Sequence, residues 1–289
     1  MTDVNQVKSE SIRFANKYDR ERAITYYERF LVSKRKRFLN MLEQNMLKRG
    51  LAMAGHPTSI LDIPAGTGRF WETLQGSADI RLHVADFNLA MLEVGFERRP
   101  DRLTSRLEAT VASAFNLPFP DNSVDAIVSM RFIHHISDES DRMQLLRELA
   151  RVTRGTVCIS SWIEATGYRG QSRLAREKKR QPGKDYNKFV HQHAVFLKEC
   201  EAAGFDCLGH TDLFPHVSPW RLYVLRKRQP LAFESAELVR VCPGCKGPLV
   251  SHTDGLICEQ EKRVFPVKGK IPLLTQRDAT TSILNEDAN

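Results

Sequence analysis

The residues able to do chemistry here are two aspartates with a glycine turn between them. Leu61-Asp62 ends an apolar run, and Ala65-Gly66-Thr67-Gly68 then leads into helical sequence near Arg69-Phe70-Trp71. Glycine is needed where backbone approaches a ligand closely or takes a positive φ, and a helix start presents N–H groups that no carbonyl has claimed. In dinucleotide sites such a turn faces pyrophosphate and carries a third glycine. That glycine is missing here and an acid precedes the turn, which favours a zwitterionic ligand: the Asp62 carboxylate can orient an ammonium, directly or through water. A second acid, Asp86, closes the run His83-Val84-Ala85-Asp86 about 20 residues on, the offset at which a carboxylate accepts hydrogen bonds from both hydroxyls of a ribose. Met91, on the helix start that follows, can pack on an adenine face. The plainer alternatives are a glycine turn of any α/β fold and an aspartate that caps a helix.

A third run extends the pattern: Ala112-Ser113-Ala114-Phe115-Asn116-Leu117-Pro118-Phe119-Pro120-Asp121-Asn122-Ser123-Val124-Asp125. Together with Asp62 to Gly68, Asp86 to Leu92, His134-His135-Ile136 and Leu146 to Val152, it resembles the class I S-adenosylmethionine-dependent methyltransferases of the ubiquinone/menaquinone and tRNA-uridine type (methyltransferase type 11), over residues 58–227. The resemblance implies a Rossmann-like α/β fold, with a seven-stranded, mostly parallel sheet and helices on both faces. It implies S-adenosyl-L-methionine as cofactor, held by Asp62, Ala65, Gly66, Thr67, Gly68, Asp86, Phe87, Met91, Ser113, Ala114 and Met130. Three positions depart from the family, one of them Ala65, which stands for a frequent cysteine. Pro64 stands for the usual first glycine and offers no N–H. Ser113 stands for the acid that reads the adenine amino group; its hydroxyl can still accept one hydrogen bond, and the Ala114 N–H can meet a ring nitrogen. Pro64 and Ser113 support the alternative of a non-catalytic binding protein with a degenerate pocket.

The strand end Val128-Ser129-Met130-Arg131 lacks the N/D-P-P-Y motif of amine-methylating enzymes of this fold. An oxygen or carboxylate acceptor, or a carbon one, fits instead. Methyl transfer from a sulfonium to a good nucleophile needs in-line alignment and a desolvated pocket more than it needs a base. His134 and His135 are the candidates if a base is used; the alternative is that His135 packs beside the cofactor and His134 sits in a helix start. A net charge of +8 and a pI near 9.2 favour an anionic partner. An insert near 164–190 holds Arg169, Arg173, Arg176, Lys178, Lys179, Arg180, Lys184 and Lys188. Resemblance implies a substrate lid there, able to grip phosphates; a solvated charged loop is the alternative. RNA, tRNA first, leads the expected acceptors. A phosphorylated glycan of lipopolysaccharide type comes next, then a small quinone-like molecule.

Farther on, Val241-Cys242-Pro243-Gly244-Cys245 forms a C-P-x-C knuckle, followed by Leu256-Ile257-Cys258 and by an apolar stretch from Phe265 to Leu274. This resembles the small zinc-ribbon family of tRNA-methyltransferase activators, across nearly all of residues 238–275. Free-standing members of that family bind beside a cofactor domain, so fusion in one chain implies that no separate activator is needed. Cys242, Cys245 and Cys258, with Glu261 in the fourth position, can hold zinc tetrahedrally. A metal-free ribbon kept together by its apolar strand is the alternative.

These residues need a frame, and 289 residues suffice for one large domain and a small one. Residues 1–57 read as an N-terminal helical region, with Phe30, Lys34, Phe38, Leu42 and Met46 at helical spacing and a break from Gly50 to Pro57. Residues 58–236 alternate short apolar runs with helical segments, the signature of a parallel sheet covered on both faces. The ribbon module is expected over 237–277 and a disordered polar tail over 278–289. No apolar run approaches the ~18 residues of a membrane span, and Met1 to Ser11 is unlike a signal peptide. With Cys158, Cys200 and Cys207 scattered, a cytoplasmic location is expected.

Overall fold

The computed structural model describes residues 19–55, 57–76, 80–164, 188–215, 217–232 and 238–281. The expected alternation becomes a seven-stranded sheet of β1 (Ser59–Asp62), β2 (Arg81–Asp86), β3 (Leu107–Val111), β4 (Val124–Ser129), β5 (Thr153–Trp162), β6 (Phe205–Asp212) and β7 (Trp220–Lys227), in the order β3-β2-β1-β4-β5-β7-β6. Only β7 runs against its neighbours β5 and β6. Every residue of β1 and β4 is buried, as in strands covered on both faces. The polar Asp125 in β4 is satisfied there: it accepts from Thr58 N at 2.7 Å, Ser59 N at 2.9 Å and Arg154 Nε at 2.7 Å, which ties the amino ends of β1, β4 and β5 together. Strand order reverses between β1 and β4. In open α/β sheets the ligand crevice lies at the carboxyl ends of the strands at that point.

The described helices are α1 (Arg20–Glu28), α2 (Lys34–Met53), α3 (Trp71–Leu74), α4 (Leu89–Arg98), α5 (Asp101–Thr104), α6 (Glu139–Val152) and α7 (His193–Ala202), with a 3-10 turn at Ile133–His135. Asp138 caps α6 by accepting from Ser140 N at 2.8 Å. Arg142 of α6 makes a buried two-pronged pair with Glu199 of α7, at 3.0 and 2.5 Å. α2 ends at Met53, inside the break expected from Gly50 to Pro57; Gly50 itself stays helical and is where α2 presses on β7. A Cβ there would lie 2.5 Å from Leu222 Cδ2, so glycine serves close packing rather than termination.

The C-terminal module contains β8 (Val250–His252), β9 (Gly255–Cys258), β10 (Arg263–Phe265), the hairpin β11 (Val267–Lys268) and β12 (Ile271–Pro272), and β13 (Thr280–Thr281). β13 pairs with β10, so the module reaches past the expected boundary at 277, and 278–281 are not tail. It covers the open edge of the large sheet. Leu274 N donates to Val111 O at 2.8 Å, and Arg240 donates to Thr110 Oγ1 at 2.9 Å and Glu108 Oε2 at 3.0 Å. Ile271 and Leu273 join the same apolar cluster as Leu82, Val84 and Val111. A bare strand edge invites wrong pairing, and this contact removes one. Of the basic insert, Arg169 to Lys184 lie outside the described residues. No described helix is long and apolar enough to cross a membrane.

Candidate functional site

Asp62 ends β1 at 1% exposure, and neither carboxylate oxygen has a hydrogen-bond partner among the described residues. The indole N–H of Trp71 is the neighbour that favours its charged form, but Trp71 Nε1 is itself unpartnered by hydrogen-bond geometry. Burial, then the charge of Asp86, raise the Asp62 carboxyl well above its usual range. Orphaned buried carboxylate oxygens are costly, and a cation would complete them. The turn that follows requires glycine: φ is +57° at Gly66 and +73° at Gly68, and a Cβ on Gly68 would strike the Trp71 ring.

That turn is tied to the end of β2. Ala65 N donates to Ala85 O at 2.8 Å, and Gly66 N donates to Asp86 Oδ2 at 2.8 Å. Asn88 N donates to Asp86 Oδ1 at 2.9 Å, and Asn88 caps α4 by accepting from Met91 N at 3.2 Å. Burial pushes Asp86 up to about 6, against the backbone N–H groups of Asn88, Gly66 and Phe87. Each Asp86 oxygen accepts a backbone hydrogen bond and keeps capacity for another donor.

These groups border a cleft of about 230 Å³. Pro64, Gly66, Asp86, Phe87, Asn88 and Met91 line it from the β1 and β2 ends. Met130, Arg131, Phe132 and His135 line it from the segment after β4, with Tyr26 and Arg29 of α1 and Lys188 completing it. Of the residues expected from sequence, Gly66, Asp86, Phe87, Met91 and Met130 are on the lining. Asp62, Ala65, Thr67 and Gly68 belong to the turn beneath. Ser113 and Ala114 are not on the lining: Ser113 Oγ accepts from Phe115 N at 3.3 Å and Ala114 is buried. The two histidines separate. His135 lines the cleft. His134 is 1% exposed with both ring nitrogens unpartnered, its ring stacked on Trp162 at 5.3 Å. Burial, then His135, Arg131, Lys188 and His191, lower its pKa well below the usual imidazole value.

Tyr26 and Arg29 carry no motif, and sequence reasoning missed them. It also missed the part played by Arg131 and Glu43. Arg131 has φ +62°, uncommon for a residue with a side chain and a conformation that the surrounding structure must hold. Its N–H donates to Ser160 Oγ at 2.7 Å, its guanidinium donates to Glu43 Oε1 at 2.9 Å and lies 4.5 Å from the Trp220 ring centre. Glu43, 4% exposed on α2, also binds Arg69 at 2.6 Å. The available signal was an acid set between Leu42 and Met46 of the apolar stripe. The C-terminal module reaches a lining residue: Arg277 donates to Phe87 O at 2.8 Å and stacks on the Phe87 ring at 3.9 Å.

In that module the thiols of Cys242, Cys245 and Cys258 lie within 4.8 Å of one another. Sulfurs on a tetrahedral zinc stand about 3.8 Å apart. Glu261 Oε2 is 3.4 Å from Cys242 Sγ, close to the ~3.5 Å that a sulfur and an oxygen ligand would keep. A Cβ at Gly244 would collide with the Glu261 carboxylate, so glycine makes room for it. The spacing of the three thiols fits zinc, and the cysteine cluster can hold one; the Glu261 carboxylate lies against Cys242 but outside the cluster that the three thiols form.

Comparison with known proteins agrees with both halves. Residues 61–159 match the family described as methyltransferase domain, and residues 241–269 match Trm112p-like protein. The chain is similar to probable tRNA methyltransferase 9B of Homo sapiens, 33% identical over 93 residues, which are 32% of this chain and 18% of that protein. It is similar to the ubiquinone/menaquinone biosynthesis C-methyltransferase UbiE of Hahella chejuensis, 39% identical over 100 residues, 33% of this chain and 39% of that one. The chain thus spans well under half the length of these relatives. Among solved structures, magnesium protoporphyrin IX methyltransferase from Synechocystis PCC 6803, with bound SAH, shares the fold at a TM-score of 0.59 and 12% identity, over 75% of this chain and 99% of that one.

Proposed function

We propose that this chain, a methyltransferase domain joined in one polypeptide to a Trm112p-like domain, transfers a methyl group from S-adenosylmethionine to an oxygen or carboxylate of an anionic acceptor. The observation that carries this reading is the orphaned Asp62 carboxylate beneath a glycine turn, with Asp86 beside it at the point where strand order reverses. Asp62 would neutralise the ammonium of the methionine moiety, directly or through water, and lose the penalty of its own burial. Asp86 would accept from the ribose hydroxyls, and Met91 and Phe87 would flank the adenine. S-adenosylmethionine, when bound, supplies an electrophilic methyl group whose transfer leaves a neutral thioether.

The chain's own part is alignment, exclusion of water and charge. Arg29, Arg131 and Lys188 stand at the cleft, where they attract an acceptor that carries negative charge. A carboxylate acceptor has no proton to lose. For a hydroxyl, His135 on the lining is better placed than the enclosed His134 to take one. The basic helix α2 and the pI keep RNA among the acceptors to be tested, with a phosphorylated glycan as the other anionic macromolecule. Fusion of the Trm112p-like module accounts for an enzyme that needs no separate activator.

The test is full-length protein with tritiated-methyl S-adenosylmethionine and RNA, glycolipid and small-molecule fractions from cells lacking the gene. Label is expected in one fraction. Absence of label from all of them, with S-adenosylmethionine bound, would instead indicate the non-catalytic binding protein.

A further inference from the structure

A second cavity, of about 730 Å³, opens beside the cofactor cleft, and Arg29 and Arg131 line both. The two spaces therefore share a wall at Arg29 and Arg131, and the pair with Glu43 and the face of Trp220 hold the Arg131 guanidinium in place. The lining of the larger cavity has two characters. Phe30, Phe38 and Trp220 give it apolar rings; Arg29, Arg35 and Lys36 give it cations. Its acid, Glu43, is already engaged by Arg69 at 2.6 Å and Arg131 at 2.9 Å. Arg29, Arg35 and Lys36 have no ion-pair partner among the described residues.

Two features of this wall are unfavourable until something covers it. Lys34-Arg35-Lys36-Arg37 open α2 with no acid in the first turn, placing cations at the positive end of a 20-residue helix. Phe38 is 51% exposed and Phe214, on the same lining, 37%. An anionic group relieves the first and an apolar body the second. The volume lies within the ~300–1,000 Å³ typical of small-molecule sites, where apolar walls carry a few placed charges.

We propose that this cavity is the acceptor subsite and takes a small molecule with an apolar ring system and one anionic group, a carboxylate, sulfonate or phosphate. The inference rests on the methyl-transfer reading for the word acceptor; the ligand chemistry stands on the cavity itself. Arg131, on the wall that the two spaces share, would fix the acceptor's near end.

The probe is 1-anilinonaphthalene-8-sulfonate, a ring system with one sulfonate, titrated by fluorescence into full-length protein with and without saturating S-adenosylhomocysteine. One saturable site per chain is expected. Phe38→Asp and Arg35→Glu each weaken it about tenfold, while affinity for S-adenosylhomocysteine and the melting temperature hold. Both side chains are exposed, so the variants keep the fold. The proposal is overturned if both variants bind the probe like the parent, or if many weak sites replace one. It is equally overturned if tRNA displaces the probe, loses affinity steeply with salt and is weakened by Arg35→Glu, since the face then belongs to RNA. Should the probe behave as expected while S-adenosylhomocysteine fails to bind, the methyltransferase reading fails and the cavity remains a site for an amphipathic anion.

Discussion

Asp86 is the residue on which cofactor affinity should depend most visibly. Its carboxyl is raised from 3.8 to about 6 by burial, so the folded chain holds this proton where the unfolded chain has lost it. That contribution favours folding below about pH 4 and is lost as pH rises through 6. A ligand whose hydroxyls donate to the carboxylate acts oppositely. Affinity for S-adenosylhomocysteine is expected to fall about tenfold per pH unit below 6 and to level off above it. Asp86→Asn should weaken binding at pH 7.5 by about 10- to 100-fold and flatten this dependence. Calorimetry at several pH values reads both, and a pH profile shared by parent and variant would exclude the role. Gly66 and Gly68 were legible in sequence because close approach and positive φ admit few residue types, and Asp62 and Asp86 because each is an acid that closes an apolar run. Arg131 was not: its position follows from Glu43, Ser160 and Trp220, which only the folded chain brings together.

Elements are held by buried pairs whose worth shows when one partner is removed. Glu199→Ala leaves the Arg142 guanidinium buried between α6 and α7 without its carboxylate, and a loss of about 3–5 kcal/mol is expected in urea denaturation with an unchanged slope. Glu201→Ala, which removes an exposed partner of Arg228, should leave the midpoint unmoved. Equal effects of the two would contradict this assignment. The strands β1, β2, β4 and β5 were legible as apolar runs because both faces are covered. β3 was not: Glu108 interrupts its run at the sheet edge, and its pairing with β2 and cover by the C-terminal module make it a strand. Gly50 stays helical inside the expected break because tertiary packing on Leu222 outweighs glycine's low helix propensity.

At the scale of the whole molecule, the ribbon module supports one wall of the candidate site. It caps the β3 edge and places Arg277 on Phe87. Deleting residues 238–289 should expose that edge and yield aggregate by gel filtration; a monomer with parental cofactor affinity would show that the module is dispensable. Metal analysis should find one zinc per chain, and its removal by a chelator should lower the melting temperature. Metal-free protein with the same melting temperature would favour a ribbon held by its apolar strand. The two motifs of this architecture were readable separately, whereas their contact joins residues more than a hundred positions apart and had no local signal. The most direct trial of the account is a calorimetric titration of the full-length protein with S-adenosylmethionine. Saturable binding of one molecule per chain, lost in Asp86→Ala, is the predicted result; no heat of binding at millimolar ligand would contradict it.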